Sequence, residues 1–268
     1  MVVVGLLAAA RLGPAAITAM SRGARREWRA LVATAARTLT GDGSVVVVLG
    51  DSNTCGWGWG CEHDTFYWPG RRALPAGWRV ENVALPGMGA SEHYVCSSNS
   101  RHSCSTHTEC GADDTCIAGT LGDGLPQSGS WRVDRIIAKY APQRRQTCVL
   151  ASLGGASQLV LALGTNDILT YPGVMVGQRL LTLYDRARAG LPCFEVYVAT
   201  LPPRAGIEPA TVQQANDTIR IGMEARRGAA RIVPFDQATT DDFGPDGVHM
   251  DSAGQEHRAA LAFPVLGW

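Results

Sequence analysis

The chain has 268 residues, which is enough for one large α/β domain or two small ones, and its 24 basic and 24 acidic residues balance. A neutral chain is not expected to have nucleic acid or an anionic membrane surface as its main partner. No apolar run reaches the roughly 18 residues that a membrane-spanning helix needs, so the sequence predicts no transmembrane segment.

The N-terminal part of the chain, residues 1–43, is predicted to be an extension ahead of the main domain. Residues 1–21 are apolar and include small residues before Ser21, as in a secretory signal, but no basic residue precedes the apolar run. A signal peptide and an ordinary extension therefore both remain open. Residues 25–39 are expected to form a helix that packs on the main sheet.

Beyond residue 43, short runs rich in β-branched residues alternate with segments of helical periodicity. Five runs predict strands, at residues 44–49, 79–84, 158–163, 194–200 and 231–234. Apolar residues at helical spacing predict helices around residues 133–140, 176–187 and 212–223. Such alternation indicates right-handed βαβ units. We therefore predict an α/β fold for residues 44–268, a three-layer α/β/α sandwich with a five-stranded parallel sheet.

Two segments do not follow this alternation. Residues 91–129 are rich in Ser, Cys, Gly and Asp and poor in apolar residues, so they are predicted to be an insertion in one connection without a core of its own. The apolar run at residues 148–153 is compatible with a short extra strand or with a packed loop.

The cysteines are eight in number and unevenly placed. Cys55 and Cys61 bracket one short loop, and the predicted insertion contains Cys96, Cys104, Cys110 and Cys116. Such clustering favours disulfide bonds in an oxidising compartment, which predicts a secreted or extracytoplasmic protein. Zinc is the competing interpretation, because histidines lie near the same cysteines, at His93, His102 and His107. The spacing is wide and irregular for a structural zinc site, which favours disulfides.

Chemically useful residues follow four of the five predicted strands, where ligands bind in an open parallel sheet. They are Ser52 after the first strand, Gly87 after the second, Asn166 after the third, and Asp246 with His249 after the fifth. A hydroxyl, a backbone N–H, an amide and a carboxylate–imidazole pair are the groups that acyl transfer requires. Singly, each motif could be a helix cap, a turn or a surface pair. Their occurrence together, in order, favours an active site.

These motifs resemble those of the SGNH (GDSL-type) hydrolase family from about residue 45 to the C-terminus. "VVLGDSNT" is similar to the first family block, with Ser52 at the nucleophile position, and "NVALPGMGAS" to the second, with Gly87 at the glycine that donates a backbone N–H. "LALGTND" is similar to the third, with Asn166 as side-chain donor. "DGVHMDSAG" is similar to the last, in which Asp246 and His249 complete a triad.

The resemblance implies a flavodoxin-like sheet and a serine esterase that hydrolyses carboxylic (acyl or acetyl) esters without a metal or other cofactor. The expected oxyanion hole consists of the backbone N–H groups of Ser52 and Gly87 and the Asn166 amide. Asp167 is expected to brace the loop that carries Asn166. A small acyl ester, an acetylated glycan or a lipid is the expected substrate class.

Substrate contacts are expected from Trp57 and Trp59, which leave the nucleophile's loop, and from Asn53 and Val248. Ordinary packing of the two tryptophans is an equal alternative. Because the insertion follows Gly87, it is expected to emerge near the pocket and to act as a lid. The alternative to an esterase is a catalytically silent adhesion or glycan-binding protein that uses the Cys-rich loop, since a fold alone does not determine function.

Overall fold

The computed structural model describes residues 21, 23–31, 44–55, 78–90, 94–96, 99–103, 116–118, 128–152 and 155–267. The strands in this part of the chain are β1 (Val45–Gly50), β2 (Arg79–Asn82), β3 (Tyr94–Cys96), β4 (Asn99–Ser103), β5 (Cys116–Ala118), β6 (Gln158–Ala162), β7 (Glu195–Ala199) and β8 (Ile232–Val233). The helices are α1 (23–31), α2 (Ser52–Cys55), α3 (Gly129–Tyr140), α4 (Arg144–Ser152), α5 (Gly173–Gly190), α6 (Pro209–Ala225) and α7 (Ser252–Leu266).

The main sheet has five strands in the order β2-β1-β6-β7-β8, and every neighbouring pair is parallel. This confirms the predicted α/β fold and all five predicted strands. The second strand is shorter than predicted, although the backbone N–H groups of Val83 and Leu85 still donate to the carbonyls of Val48 and Gly50, at 2.9 and 3.1 Å. Strand β1 lies between β2 and β6, so its carboxyl end shares one edge of the sheet with the ends of those two strands.

The apolar core lies on both faces of this sheet, as the uninterrupted apolar run of β1 predicts. Val45, Val47 and Leu49 point to one face, where α3, α5 and α6 pack. Val46 and Val48 point to the other, where α7 packs. All five side chains are at most 2% exposed. Burial of one such side chain contributes about 1.5–3 kcal/mol, so β1 is a rigid base for whatever follows it.

Helix α4 corrects the expectation of a strand or a loop at residues 148–153. Thr147 and Leu150, three residues apart, are buried, while Val149 between them is 55% exposed. This is helical periodicity, hidden in the sequence by a run in which exposed and buried positions are both apolar. A disulfide bond between Cys148 and Cys193, which the sequence did not predict, ties α4 to the chain just before β7.

The expected N-terminal helix is found over residues 23–31, and the rest of its predicted range lies outside the described residues. The Arg29 guanidinium donates to the carbonyl of Leu266 at 2.7 Å and lies 3.6 Å from the Glu195 carboxylate. Helix α1 is therefore held against the end of α7 and the start of β7. No helix within the described ranges has the length and apolar character to cross a membrane.

Within the predicted insertion, β3, β4 and β5 form a small antiparallel sheet in the order β4-β3-β5. The cysteine and histidine side chains of that segment lie outside the described residues, so the choice there between disulfides and zinc stays a prediction. Cys55 is disulfide-bonded, while its predicted partner Cys61 also lies outside.

Candidate active site

Ser52 begins the short helix α2, directly after β1. The Asp51 carboxylate accepts the backbone N–H of Asn53 at 3.0 Å, and its carbonyl accepts those of Thr54 and Cys55, so Asp51 caps the helix. The turn is tight, because a Cβ added at Gly50 would lie 2.3 Å from the Thr54 hydroxyl oxygen. This fixes Ser52, which is 8% exposed, at the carboxyl end of β1.

His249 lies against Ser52, with Nε2 of the imidazole 3.1 Å from the serine Oγ. The other ring nitrogen, Nδ1, is 2.6 Å from Oδ2 of Asp246. Gly247, at φ +62°, makes the turn that brings carboxylate and ring together. The second Asp246 oxygen accepts the backbone N–H groups of Val248 at 2.8 Å and His249 at 2.9 Å.

These contacts stabilise the charged form of Asp246. The backbone N–H of His249, followed by its ring and by the Val248 N–H, lowers the pKa of Asp246 to about 2. The group is therefore a carboxylate at neutral pH and only accepts hydrogen bonds. The proton of a neutral His249 ring then resides on Nδ1, which leaves the lone pair of Nε2 directed at the Ser52 hydroxyl.

The loop after β2 brings Gly87 to the same edge of the sheet. Leu85 donates its backbone N–H to the carbonyl of Gly50 at 3.1 Å, and Met88 donates to the carbonyl of Leu85 at 3.2 Å. With Pro86 second and Gly87 third at φ +77°, residues 85–88 form a type II turn, which needs glycine there.

Asn166 and Asp167, after β6, hold this turn in place. The Asn166 amide donates to the carbonyl of Met88 at 3.0 Å, and the Asp167 carboxylate accepts the backbone N–H of Ala90 at 2.7 Å. Asp167 thus joins the Asn166 loop to the Gly87 loop. Within the described part of the chain, the backbone N–H groups of Ser52 and Gly87 donate to no protein acceptor, so both are available to a ligand.

Asn53 and Val248, two of the residues expected to contact substrate, are engaged with the protein itself. The Asn53 side chain is 5% exposed, and its amide bonds the backbone on either side of His249. Val248 is half-buried and contributes its backbone, with its N–H on Asp246 and its carbonyl on Asn53. These contacts give both residues a part in holding the His249 loop, and their contact with substrate stays a prediction. Trp57 and Trp59 lie outside the described residues.

Residues that the sequence did not single out anchor α2 from the far end of the chain. Gln255 donates to the carbonyl of Asn53 at 2.8 Å, and Arg258 donates to the Thr54 hydroxyl at 2.7 Å. Both belong to α7 and are at most 5% exposed. The available signal was their three-residue spacing, which places Gln255 and Arg258 on the same helix face as the apolar Ala259 and Ala262.

Asp51 forms a second buried link beneath the site. It lies next to the Thr165 hydroxyl, which donates to it, and near the guanidinium groups of Arg258 and Arg204. Burial raises the pKa of Asp51, and these three groups oppose that rise. The contact connects the turn that carries Ser52 with the residue before Asn166.

A mainly apolar cavity of about 370 Å³ borders the turn that carries Asp246 and His249. Its wall includes Gly247 together with Leu201, Ile207, Val212 and Phe243. Among the described side chains, no group of three or more His, Cys, Asp or Glu residues is arranged to hold a metal ion. A hydroxyl, an imidazole, a carboxylate and backbone N–H groups are gathered here, and such groups can transfer protons and bind anions.

Comparison with known proteins identifies the fold. No protein-family model matches the chain, and no curated protein matches it significantly. Among solved structures, TesA superposes with a TM-score of 0.54 at 16% identity, over 83% of this chain and 98% of the other. Est24, a carbohydrate acetylesterase from Sinorhizobium meliloti, superposes with a TM-score of 0.52 at 15% identity, over 83% of this chain and 98% of the other.

A member of the lipolytic protein G-D-S-L family from Veillonella parvula gives a TM-score of 0.52 at 14% identity, over 83% of this chain and 97% of the other. At these low sequence identities, the structural similarity establishes the fold alone. The chain thus has the SGNH hydrolase fold, and the resemblance predicted from its motifs is confirmed at that level.

Proposed function

We propose that the protein is a serine esterase that hydrolyses small carboxylic esters, with Ser52 as nucleophile, His249 as general base and acid, and Asp246 as the carboxylate that orients the imidazole. The observation that carries this proposal is the continuous chain of contacts, 3.1 Å from the Ser52 Oγ to Nε2 of His249 and 2.6 Å from Nδ1 to Asp246. A serine hydroxyl becomes a useful nucleophile when a positioned base takes its proton.

The reaction has two halves that use the same groups. Nε2 of His249 takes the hydroxyl proton as the Ser52 oxygen attacks the ester carbonyl, and Asp246 stabilises the resulting imidazolium. The imidazolium then gives its proton to the leaving alcohol, which leaves an acyl-enzyme. Water attacks this acyl group by the same route, releases the carboxylic acid and restores the serine.

The oxyanion of each tetrahedral intermediate would be bound by the backbone N–H groups of Ser52 and Gly87 and by the Asn166 amide. Two features support this: both backbone groups are unused by the described protein, and the Asn166 loop is joined directly to the Gly87 loop. Such donors act because they are aimed at the oxyanion before charge develops.

For substrate, we propose small acyl esters, including acetyl groups on glycans and short-chain lipid esters. The name of Est24 as a carbohydrate acetylesterase supports this range. We also propose an extracytoplasmic location, which the Cys148–Cys193 disulfide supports because such bonds persist in oxidising compartments.

The test is hydrolysis of p-nitrophenyl esters of graded chain length and of an acetylated sugar. Ser52→Ala is expected to lower kcat by roughly 10⁴–10⁶-fold. Ser157→Ala is the matched control, because this serine is also buried but accepts the backbone N–H of Val45 at the opposite end of the sheet. It is expected to retain wild-type kcat. If the wild-type protein is as inactive as Ser52→Ala on every ester, the result would favour the catalytically silent glycan-binding alternative.

A further inference from the structure

The side chain of Asn53 forms a bridge between the nucleophile's helix and the loop of the proposed base. Its Nδ2 donates to the carbonyl of Val248 at 3.1 Å, and its Oδ1 accepts the backbone N–H of Met250 at 2.9 Å. These are the residues immediately before and after His249. One amide therefore bonds the main chain on both sides of the imidazole-bearing residue.

Asn53 is itself immobilised at the other end of this bridge. Its backbone N–H donates to the Asp51 carboxylate at 3.0 Å, and its carbonyl accepts the Gln255 amide at 2.8 Å. With the side chain 5% exposed, water does not compete effectively for these bonds. Because Asn53 directly follows Ser52, the bridge joins the two chain segments whose side chains must exchange a proton.

We infer that Asn53 is a positioning residue that sets the distance and orientation between the Ser52 hydroxyl and the His249 ring. The inference rests on the proposed function and assigns to this residue the task of holding the proton-transfer pair. The chemistry is specific to an amide, since the bridge requires one donor for a carbonyl and one acceptor for an N–H. Leucine, of similar size, has neither group.

The effect should appear in turnover and not in substrate binding. A misplacement of about 1 Å in a reacting pair can lower the rate by about 10²-fold, and proton transfer from Ser52 requires Nε2 within hydrogen-bond reach. The bridge contacts the backbone of the His249 loop, so its loss would move the base while the proposed oxyanion donors at Ser52, Gly87 and Asn166 are unchanged.

The experiment compares Asn53→Leu with Asn216→Leu. Asn216 is a matched control: its side chain, 1% exposed, also makes two bonds to backbone, accepting the N–H of Leu201 at 2.7 Å and donating to its carbonyl at 2.9 Å. Both variants should lose thermal stability. At a temperature where both are folded, Asn53→Leu is expected to lower kcat by about 10²-fold with little change in KM, and Asn216→Leu to stay within about twofold of wild type.

A second measurement needs no turnover. The ¹⁵N resonances of the His249 ring report whether Nε2 is hydrogen-bonded, and amide exchange reports the protection of the Met250 N–H. Asn53→Leu should lose both signatures, and Asn216→Leu should keep both. If wild type hydrolyses no ester, the esterase proposal fails, and these two signals alone decide the role of Asn53. An Asn53→Leu protein with an unchanged ring signal, or with kcat within threefold of an active wild type, would overturn the inference.

Discussion

Removal of the Cys148–Cys193 disulfide should destabilise the protein strongly without changing its chemistry. The bond joins residues separated by 45 positions in the chain. If it acts mainly by restricting the unfolded chain, the loop-entropy relation gives about 13 cal/mol/K for a loop of this length, or about 4 kcal/mol at 25 °C. For a chain of this size that corresponds to a fall in Tm of roughly 8–16 °C.

The assay is urea and thermal unfolding of the Cys148→Ser/Cys193→Ser double variant against wild type. Substitution is preferable to a reductant because Cys55 is also disulfide-bonded. Both cysteines are half-buried, so serine creates little unsatisfied polar surface. Ester hydrolysis at 25 °C should be unchanged, because Cys193 precedes the start of β7 whereas Ser52 follows the end of β1. A loss of stability below about 1 kcal/mol would refute the loop-entropy reasoning. A large loss of kcat in the folded variant would refute the conclusion that the disulfide lies too far from Ser52 to affect catalysis.

Three further outcomes follow from the site. Asn166→Ala should lower kcat on p-nitrophenyl acetate by about 10²–10³-fold with a small change in KM, and a proportional rise in KM would contradict a role in oxyanion binding. Gly87→Ala places a side chain at φ +77°, so urea unfolding should register a loss of about 1–2 kcal/mol; an equally stable variant would contradict the turn. Asp246 has its pKa lowered from 3.8 to about 2 on folding, so the stability that its charge contributes is present above about pH 4 and lost as the pH falls towards 2. The urea-midpoint difference between wild type and Asp246→Asn should shrink over that window, and a difference independent of pH would argue against these contacts.

Local sequence patterns predict much of the architecture. The β1 run is apolar on both faces because it is buried on both faces, and the helical spacing of Val176, Leu180 and Tyr184 is that of a helix packed along one side. The candidate residues were identifiable because each follows a strand, and parallel strands bring their carboxyl ends to one edge. Helix α4 was missed because Val149, although apolar, lies in solvent.

What the sequence did not predict are the supporting pairings between distant residues, those around the proposed triad and the disulfide. The partners of Asn53 lie 195 and 197 positions away, and nothing near Asn53 indicates that its amide will meet their main chain. The Cys148–Cys193 pair was obscured in the same way, since eight cysteines allow many pairings and spacing does not choose among them. Such contacts are set by how the elements pack, so local pattern contains no signal for them.

The anchoring of α2 by α7 has a consequence for the order of events in the cell. The Thr54–Arg258 contact spans 204 positions and the Asn53–Gln255 contact spans 202. At typical rates of translation, roughly 10–40 s separate the synthesis of Ser52 from that of the helix that secures its turn. Until then, a nascent chain carries Ser52 without these supports, so the proposed catalytic site can form only once α7 has docked.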